Sequence, residues 1–443
     1  MRDIAIMLVI IGGAMFAFKR PWIGAVMSVW ISLMSPHIQF GFKTAHWPVA
    51  LIVALTTLVG WLMSKDRTNP MQGTPVAWLM AFWAWICITL PFSFYFSESV
   101  GLWERSMKIF LLVFMTLGLV NTRLKLEWLI IVVVISLGFY GVKGGIFTIL
   151  TGGNFRVWGP GGFVEGNNEL ALALVMLLPF VMYIYQQAGI RWVRIAALGT
   201  LLLLPFTILG SHSRGALLAL GAMGLFLWIK SERKFVGGIV LVALSALALG
   251  FMPEHWWARM ETIQGYEQDS SAQGRINAWW AAWNLARANF FGGGFMIYTA
   301  ETWARYAPHP GVNAAHSIYF QVLGEHGFVG LFLFLGIGAS TWLTCRKLKR
   351  ASRNDPDLKW AAQLGAMTQV SMVGYAVGGA FLSLAYFDLP YYQMVIAVVG
   401  LRLVQTRQAL RPAAAGAPDR GAWGSWPFAK APRPVASFGG PQK

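Results

Sequence analysis

Cysteine is nearly absent from this sequence, and the two that occur, Cys87 and Cys345, both fall inside apolar runs. Two cysteines placed in this way provide neither a disulfide framework nor a thiolate metal site. Charged residues are also scarce, at 12% of the 443 residues, which argues against a chain of two or three soluble domains. The sequence also lacks a P-loop, a GxSxG nucleophile elbow and a Cys/His dyad motif, so soluble nucleotide-driven chemistry has no support.

Long apolar runs make up most of the chain. Hydrophobic residues account for 56% of it, and runs of roughly 17 to 25 residues recur from end to end, the length that crosses a bilayer as a helix. Their approximate bounds are 3–18, 22–34, 47–63, 74–92, 107–120, 126–147, 170–186, 194–210, 214–229, 235–252, 316–344, 361–382 and 388–404. The sequence therefore predicts an all-α, polytopic integral membrane protein with about 12 (12–13) transmembrane helices.

The net charge of +17 would suggest a nucleic-acid partner in a soluble protein. Here the lysines and arginines cluster in short, alternate loops between apolar runs, and the positive-inside rule places such loops in the cytoplasm. We therefore expect no nucleic-acid partner. The intervening loops then face outward, and they are residues 93–106, 151–169, 211–214 and 253–315.

These patterns divide the chain into five parts. Residues 1–150 form an N-terminal transmembrane bundle, and residues 151–252 carry further membrane helices with outer loops that contain Arg156 and Arg214. Residues 253–315 form a long polar outer loop, and residues 316–410 are C-terminal membrane helices. The Pro- and Gly-rich tail, 411–443, is predicted to be a disordered cytoplasmic segment.

The long outer loop contains one predicted helix, from Ser270 to Asn289. Apolar side chains follow helical spacing there, at Ile276, Trp279, Trp280, Trp283 and Leu285 or Ala286. Such a stripe is typical of an amphipathic helix that lies on a membrane surface. We expect this helix on the outer membrane interface, with Ser270 or Ser271 as its cap.

Two arginines of the outer loops are candidates for binding an anion. Arg214 follows Ser211-His212-Ser213 at the start of an apolar run, and Arg275 lies near the start of the predicted outer helix. An arginine fork matches phosphate oxygens, and each charge-assisted hydrogen bond contributes about 1.5–3 kcal/mol. Each arginine also has an alternative to anion binding. The Arg214 side chain could extend to the lipid headgroups, and Arg275 could pair with Asp269.

His316 begins the next apolar run and is the candidate general base. A neutral imidazole can accept a proton from a hydroxyl near neutral pH, although a histidine at an interface can also be a satisfied structural residue. Tyr319, Phe320 and Leu323 are predicted to share its helical face and to floor an acceptor pocket. Glu325 and His326, deeper in the run, are interpreted first as structural or relay residues.

Further polar residues of the outer loops are candidates for substrate binding. Arg156 is a possible third anion contact, and Asn168 precedes an apolar run, where the alternative role for Asn167 or Asn168 is to cap the helix. Arg305 and His309 lie in the long outer loop. His212 and His309 lack the spacing of metal ligands, so we expect no metal and no other cofactor.

Several stretches resemble the bacterial O-antigen ligase and polymerase superfamily, and they follow the family's order over roughly residues 152–330. They are Arg214 in its Ser-Arg-Gly setting and residues 269–275, 289–295, 315–321 and 324–327. Residues 20–24 and 32–37 resemble the branch of O-glycosylation ligases associated with exosortase-type loci. The family usually has Asn after the histidine, whereas this sequence has Ser317.

The resemblance implies an inner-membrane glycosyltransferase with a periplasmic active site. The donor would be a glycan on undecaprenyl diphosphate and the acceptor a sugar hydroxyl on the lipid A core, joined without a metal and with inversion. Arg214 and Arg275 would neutralise the leaving diphosphate, and His316 would act as the base. An O-antigen polymerase or a protein O-oligosaccharyltransferase on the same scaffold stays open. The alternative from a different functional class is a transporter of lipid-linked glycans.

Overall fold

The computed structural model describes residues 2–40, 47–230, 234–261 and 270–410, and in these ranges the regular structure is entirely helical. Seventeen α-helices are numbered in chain order. They are α1 (Arg2–Lys19), α2 (Pro21–Met34), α3 (Pro36–Gln39), α4 (Val49–Met63), α5 (Thr74–Thr89), α6 (Phe96–Leu119), α7 (Arg123–Leu150), α8 (Asn167–Gln187), α9 (Arg191–Gly210), α10 (Arg214–Lys230), α11 (Lys234–Gly250), α12 (Glu254–Glu261), α13 (Ser270–Ala288), α14 (Ala300–Tyr306), α15 (Ile318–Ser352), α16 (Lys359–Gly378) and α17 (Asp388–Leu410).

Each of the thirteen apolar segments coincides with one helix, so the all-α class is confirmed. Among the described residues, five helical segments are long and apolar enough to cross a membrane: Thr74–Phe92, Arg123–Leu150, Asn167–Gln187, Arg191–Gly210 and Ile318–Ser352. Two apolar helices, Pro21–Met34 and Val49–Met63, are shorter. The fold indicates a multi-pass membrane protein, and the total of 12 to 13 spans stays a prediction. The predicted tail 411–443 lies outside the described residues.

Helix α8 lies at the centre of the bundle, because it packs against α7, α9, α10 and α16. Every residue from Leu170 to Leu177 is fully buried, which requires a helix that is apolar on all sides. The first residues of α8 are polar and lie at the end of the bundle where the predicted outer loops meet. The central helix therefore presents its polar N-terminus to the middle of that end.

Ion pairs bind the loops together at the opposite end of the bundle. The pairs are Lys125 Nζ with Asp66 Oδ2 at 2.8 Å, Arg123 Nε with Glu127 Oε1 at 2.6 Å, and Arg407 Nη2 with Asp357 Oδ2 at 2.6 Å. Two of the three carboxylates are largely exposed, so each of those pairs contributes at most about 1 kcal/mol. Three basic residues at this end are thus paired with carboxylates, and this is the end predicted to face the cytoplasm.

Helix α15 is broken at Gly327, where φ is 69° and ψ is −173°. A break leaves carbonyl groups of the preceding turn without their intrahelical donors. Two glycines of the loop before α14 supply the donors: Gly293 N–H bonds to Gly324 O and Gly294 N–H bonds to Glu325 O, both at 2.9 Å. The glycine-rich motif at 289–295 and the motif at 324–327 are therefore two halves of one backbone junction.

The two ionisable residues at this junction are buried and have partners. The Tyr386 hydroxyl donates to Glu325 Oε2 at 2.5 Å, and His326 Nδ1 lies 2.8 Å from the Thr89 hydroxyl. Trp85 Nε1 donates to the His326 carbonyl oxygen at 2.9 Å. These contacts fit the structural interpretation of Glu325 and His326, because buried polar groups are retained where they are hydrogen-bonded.

Gly327 provides a stability test of this junction. The combination of φ and ψ at Gly327 is essentially restricted to glycine and costs other residues about 1–3 kcal/mol. A Cβ there would also lie 2.3 Å from the Phe290 carbonyl oxygen. We expect Gly327→Ala to destabilise the fold by at least about 2 kcal/mol, seen as a lower thermal midpoint in detergent. Gly338→Ala on the same helix is the control, since nothing lies within 4 Å of its Cβ position. Equal midpoints for the two variants would contradict the prediction.

Candidate active site

Arg214 is the first residue of α10, directly after the tight turn that ends α9. Ser213 caps the new helix, with its hydroxyl oxygen accepting from the Ala216 N–H at 3.3 Å. The turn is fixed to the central helix, because Asn167 Nδ2 donates to the Ser211 carbonyl oxygen at 2.7 Å. The guanidinium is thus presented at a helix N-terminus, where the helix dipole favours a bound anion.

Arg275 lies in the second turn of α13 and faces two other polar residues of this end. Its positive charge acts on the carboxylate of Glu169, in the first turn of α8, and on the imidazole of His316. The preceding Gly274 allows a close approach, because a Cβ there would lie 2.9 Å from Asn313 Nδ2. Arg275 therefore lies between the central helix and the segment that carries His316.

Helix α13 holds the chain that leads to His316 at two further points. Asn277 brackets the backbone of His309: its Nδ2 donates to His309 O at 2.8 Å, and its Oδ1 accepts from His309 N–H at 3.0 Å. Trp279 Nε1 donates to the Ala315 carbonyl oxygen at 2.7 Å. The Trp279 ring also stacks on Phe320, with 5.1 Å between ring centroids. The residue immediately before His316 is therefore fixed.

His316 has a left-handed backbone conformation, with φ at 42°. Such a conformation costs a non-glycine residue about 1–3 kcal/mol and is concentrated at functional sites. His212, beside Arg214, shares it, and Ser35 is the third non-glycine example in the described ranges. Burial and the positive charge of Arg275 lower the pKa of the His316 imidazole from its usual 6.5, so the ring is neutral at pH 7.

The prediction that His316 begins a helix is wrong, since α15 starts at Ile318 and Ser317 is its N-cap residue. His316 therefore does not share a helical face with its successors. The Tyr319 hydroxyl instead donates to the Ala376 carbonyl oxygen at 2.8 Å, and Leu323 is buried. The left-handed residue turns the chain before the helix begins, which separates the imidazole from the α15 face.

Arg214 and His316 flank one short turn between α16 and α17. A Cβ on Gly215 would lie 3.1 Å from Phe381 Cβ, and a Cβ on Gly379 would lie 2.6 Å from Ile318 Cδ1. Gly215 and Ile318 therefore pack against the same three-residue segment, Gly379–Phe381. Gly215 directly follows Arg214, and Ile318 lies two positions after His316. This three-residue segment, together with the hydrogen bonds of Asn167 to Ser211 and of Trp279 to Ala315, links the elements that carry Arg214 and His316.

Sequence reasoning missed Glu169 and misassigned its neighbours. Neither Asn167 nor Asn168 caps α8, because the N-cap residue is Gly166 and has no side-chain cap. Asn167 is instead buried against the turn before Arg214, and Asn168 is half-buried. An acidic residue in the first turn of a helix is ordinarily explained by the helix dipole, so its relation to Arg275 was not visible in the sequence.

Two further predicted binding residues, Arg305 and His309, have exposed side chains. Arg305 forms an exposed ion pair with Glu301, four residues earlier on α14, at 2.8 Å. The His309 side chain is exposed, and only its backbone is bound to α13. Arg156 lines a separate cavity, described below. Asp269, the alternative partner of Arg275, lies outside the described residues.

The predicted helix of the long loop is present as α13, its place on the outer membrane interface stays a prediction, and its apolar stripe is arranged differently from the prediction. Its buried face consists of small residues and one leucine, Ala278, Ala281, Ala282, Leu285 and Ala286. Trp280 and Trp283 are exposed. The small side chains are needed because a Cβ on Gly324 of α15 would lie 3.1 Å from Ala282 Cβ. Close helix packing therefore decided which face is buried.

The ranges that the structure describes contain no cluster of three or more His, Cys, Asp or Glu side chains that could hold a metal ion. The polar groups near the site are the guanidinium groups of Arg214 and Arg275, the Glu169 carboxylate and the neutral His316 imidazole. Together with the fold, they define a multi-pass helical membrane protein with a cationic site and a neutral histidine at one end of the bundle.

Comparison with known families agrees with this description. Residues 198–335 match the family model described as O-Antigen ligase, and residues 1–189 match a family of unknown function, DUF5935. The match over residues 198–335 supports the O-antigen ligase superfamily for this chain. The matched segment runs from α9 into α15 and contains Arg214, Arg275 and His316. No curated protein matches the chain.

The family match supports a ligase- or polymerase-type function and an enzyme of the glycosyltransferase kind. Its substrates are, in general terms, a lipid-linked glycan and a lipid acceptor. Arg156 and Asn168 fall in the other match, to the family of unknown function.

Proposed function

We propose that the protein is an O-antigen ligase that transfers a glycan from undecaprenyl diphosphate to a sugar hydroxyl of the lipid A core. The reaction takes place at the periplasmic face of the inner membrane, needs no metal and inverts the anomeric carbon. The observation that carries the proposal is the position of Arg275. Its charge acts on both Glu169 and His316, and so links an anion-binding residue to a base.

Arg214 and Arg275 bind the diphosphate of the donor. Arg214 adds its charge to the N-terminus of α10, and Arg275 approaches from α13, so the diphosphate is held from two sides. As the bond between sugar and phosphate breaks, negative charge grows on the leaving oxygen. Fixed positive groups stabilise this charge more strongly in the transition state than in the bound donor.

His316 accepts the proton of the acceptor hydroxyl. The acceptor oxygen attacks the anomeric carbon on the side opposite the diphosphate, and a new glycosidic bond forms as the old bond breaks. Undecaprenyl diphosphate leaves with the bonding electron pair, and the proton stays on the imidazole until water removes it. A lowered pKa suits this task, because the ring is unprotonated at pH 7 before the acceptor arrives.

The hydrocarbon chain of the donor lies in an apolar cavity next to His316. A cavity of about 430 Å³ lies between α15, α16 and α17 and is lined by Ile318 and Tyr319 as well as by Phe334 and Trp342. Ile318 is only two residues from His316. A polyprenyl chain in this cavity would place its diphosphate near Arg214 and Arg275, so Tyr319 contacts the donor lipid rather than the acceptor.

Glu169 and Asn167 support the arginines from the central helix. Asn167 holds the turn before Arg214 by its hydrogen bond to Ser211, and Glu169 attracts Arg275. Because α8 is buried on all sides, both supports are on a rigid element. The two guanidinium groups are thereby kept in place before the donor binds, which lowers the reorganisation needed in the transition state.

The test is an acceptor-extension assay with purified protein and undecaprenyl diphosphate glycan. Lipid A core, a second lipid-linked glycan and a pilin-like peptide are supplied separately, and products are separated by mass. We expect extension of the lipid A core alone. Extension of the second glycan would instead identify a polymerase, and extension of the peptide a protein O-oligosaccharyltransferase. Movement of the donor across a vesicle membrane without any product would identify a transporter.

A further inference from the structure

A second cationic cavity lies at the same end of the bundle. It has a volume of about 280 Å³ and is formed by α7 and the loop that follows it. Lys143 and Arg156 both line it, together with Tyr140, Phe147 and Trp158. None of Arg214, Arg275 and His316 lines this cavity, so it is a different site from the proposed active site.

The two cations of this cavity form no ion pair with any residue in the described ranges. Both side chains are exposed. By contrast, the buried Lys125 and the half-buried Arg123 and Arg407 each pair with a carboxylate. Two like charges that share a cavity repel each other, and an anion placed between them removes that repulsion. An arginine also offers a planar fork that fits two oxygens of one phosphate.

The surroundings of the cavity indicate that the anion is carried by a lipid. Lys143 lies seven residues before the end of α7, about 10 Å along the helix axis, and hence below the outer loop. Trp158 and Phe155 are each 62% exposed, and Phe147 is 41% exposed. Exposed aromatic side chains beside cations are typical of the membrane interface, where they contact acyl chains and headgroups.

We propose that Lys143 and Arg156 bind the phosphate headgroup of an anionic membrane lipid at the outer face. The loop that contains Arg156 is joined to the end of α9, because Val157 N–H donates to the Gly210 carbonyl oxygen at 3.0 Å. Gly210 directly precedes the turn that carries Arg214. An occupied lipid site would therefore hold the loop beside the active site in place.

The experiment measures lipid binding to the full-length protein in detergent by native mass spectrometry. Phosphatidylglycerol and phosphatidylcholine are titrated separately, and inorganic phosphate is added as a competitor in a third series. Two variants are compared with the wild type. The double variant combines Lys143→Gln with Arg156→Gln, and the single variant, Lys143→Arg, keeps the charge. Arg287→Gln is the matched control, since Arg287 is an exposed cation near the end of α13.

We expect phosphatidylglycerol to bind the wild type, Lys143→Arg and Arg287→Gln with similar affinity. The double variant should bind it about tenfold more weakly, equivalent to about 1.4 kcal/mol, with an unchanged thermal midpoint. Unchanged affinity in the double variant, or equal affinity of the wild type for phosphatidylcholine, would overturn the proposal. Competition by millimolar inorganic phosphate would show a phosphate site without lipid preference and would overturn it as well. None of these measurements depends on glycan transfer, so they can fail independently of the proposed function.

Discussion

Replacement of His316 by glutamine is expected to lower the rate of glycan transfer by about 10²- to 10⁴-fold. Donor affinity should remain close to that of the wild type, because glutamine keeps a polar side chain but cannot accept the proton. Single-turnover rates and donor binding are measured on the same preparation. Arg287→Gln, which removes an exposed cation of α13, is the control and should behave as the wild type.

A variant of His316 that transfers glycan at the wild-type rate would remove the base from the mechanism. Equal losses of rate and donor binding would instead assign His316 to binding. The thermal midpoint separates both results from misfolding. His316→Gly adds a further check, because glycine adopts the left-handed conformation without strain and should preserve the backbone while it abolishes proton transfer.

The pH dependence of transfer follows from the environment of His316. The base must be neutral, and burial together with the charge of Arg275 lowers its pKa below the usual 6.5. The rate should therefore be constant across pH 7 and fall only as the pH decreases through this lowered pKa. A rate that still rises above pH 7 would contradict this assignment.

Replacement of Arg275 by glutamine is expected to weaken donor binding by about a hundredfold or more, because two charge-assisted hydrogen bonds of about 1.5–3 kcal/mol each are lost. A second effect follows from its position beside His316. Without the positive charge, the pKa of the imidazole rises, so the acid limb of the pH profile moves to higher pH. Donor affinity and the pH profile of single-turnover transfer are both measured.

Arg287→Gln is the control for Arg275→Gln, since it removes an exposed cation from the same helix. It should change neither donor affinity nor the acid limb. If Arg275→Gln weakens donor binding but leaves the acid limb unchanged, the coupling between Arg275 and His316 is disproved. If the acid limb moves while donor affinity is unchanged, Arg275 acts on the base alone and the diphosphate is bound elsewhere.

The helices and the approximate place of the site were predictable from local pattern. The apolar runs located thirteen helices. Arg214 begins α10, Arg275 lies on α13, and His316 lies just before α15. Their chemical roles stay predictions, as does the division of the chain at residues 150, 252, 315 and 410.

Other features were beyond sequence reasoning because they depend on contacts between distant segments. The pairing of Gly293 and Gly294 with the broken turn of α15 needs two segments about thirty residues apart to meet. The relation of Glu169 to Arg275 depends on an interaction between two helices that are about one hundred residues apart in the chain. Arg305 forms an exposed ion pair with Glu301, whose four-residue spacing was visible in the sequence, and its role in substrate binding stays a prediction.

The sequence by itself determined the class of this protein. Run length and the scarcity of charge require membrane helices, since backbone polar groups in lipid must be satisfied within each helix. The residue types of Arg214, Arg275 and His316 determined which chemistry is available. Only the tertiary structure decided where that chemistry is brought together. Helix α13 packs on α15, and the turn before Arg214 packs on α8. His316 lies in a left-handed conformation within this packing, beside Arg275. Such long-range packing leaves no periodic pattern in a chain.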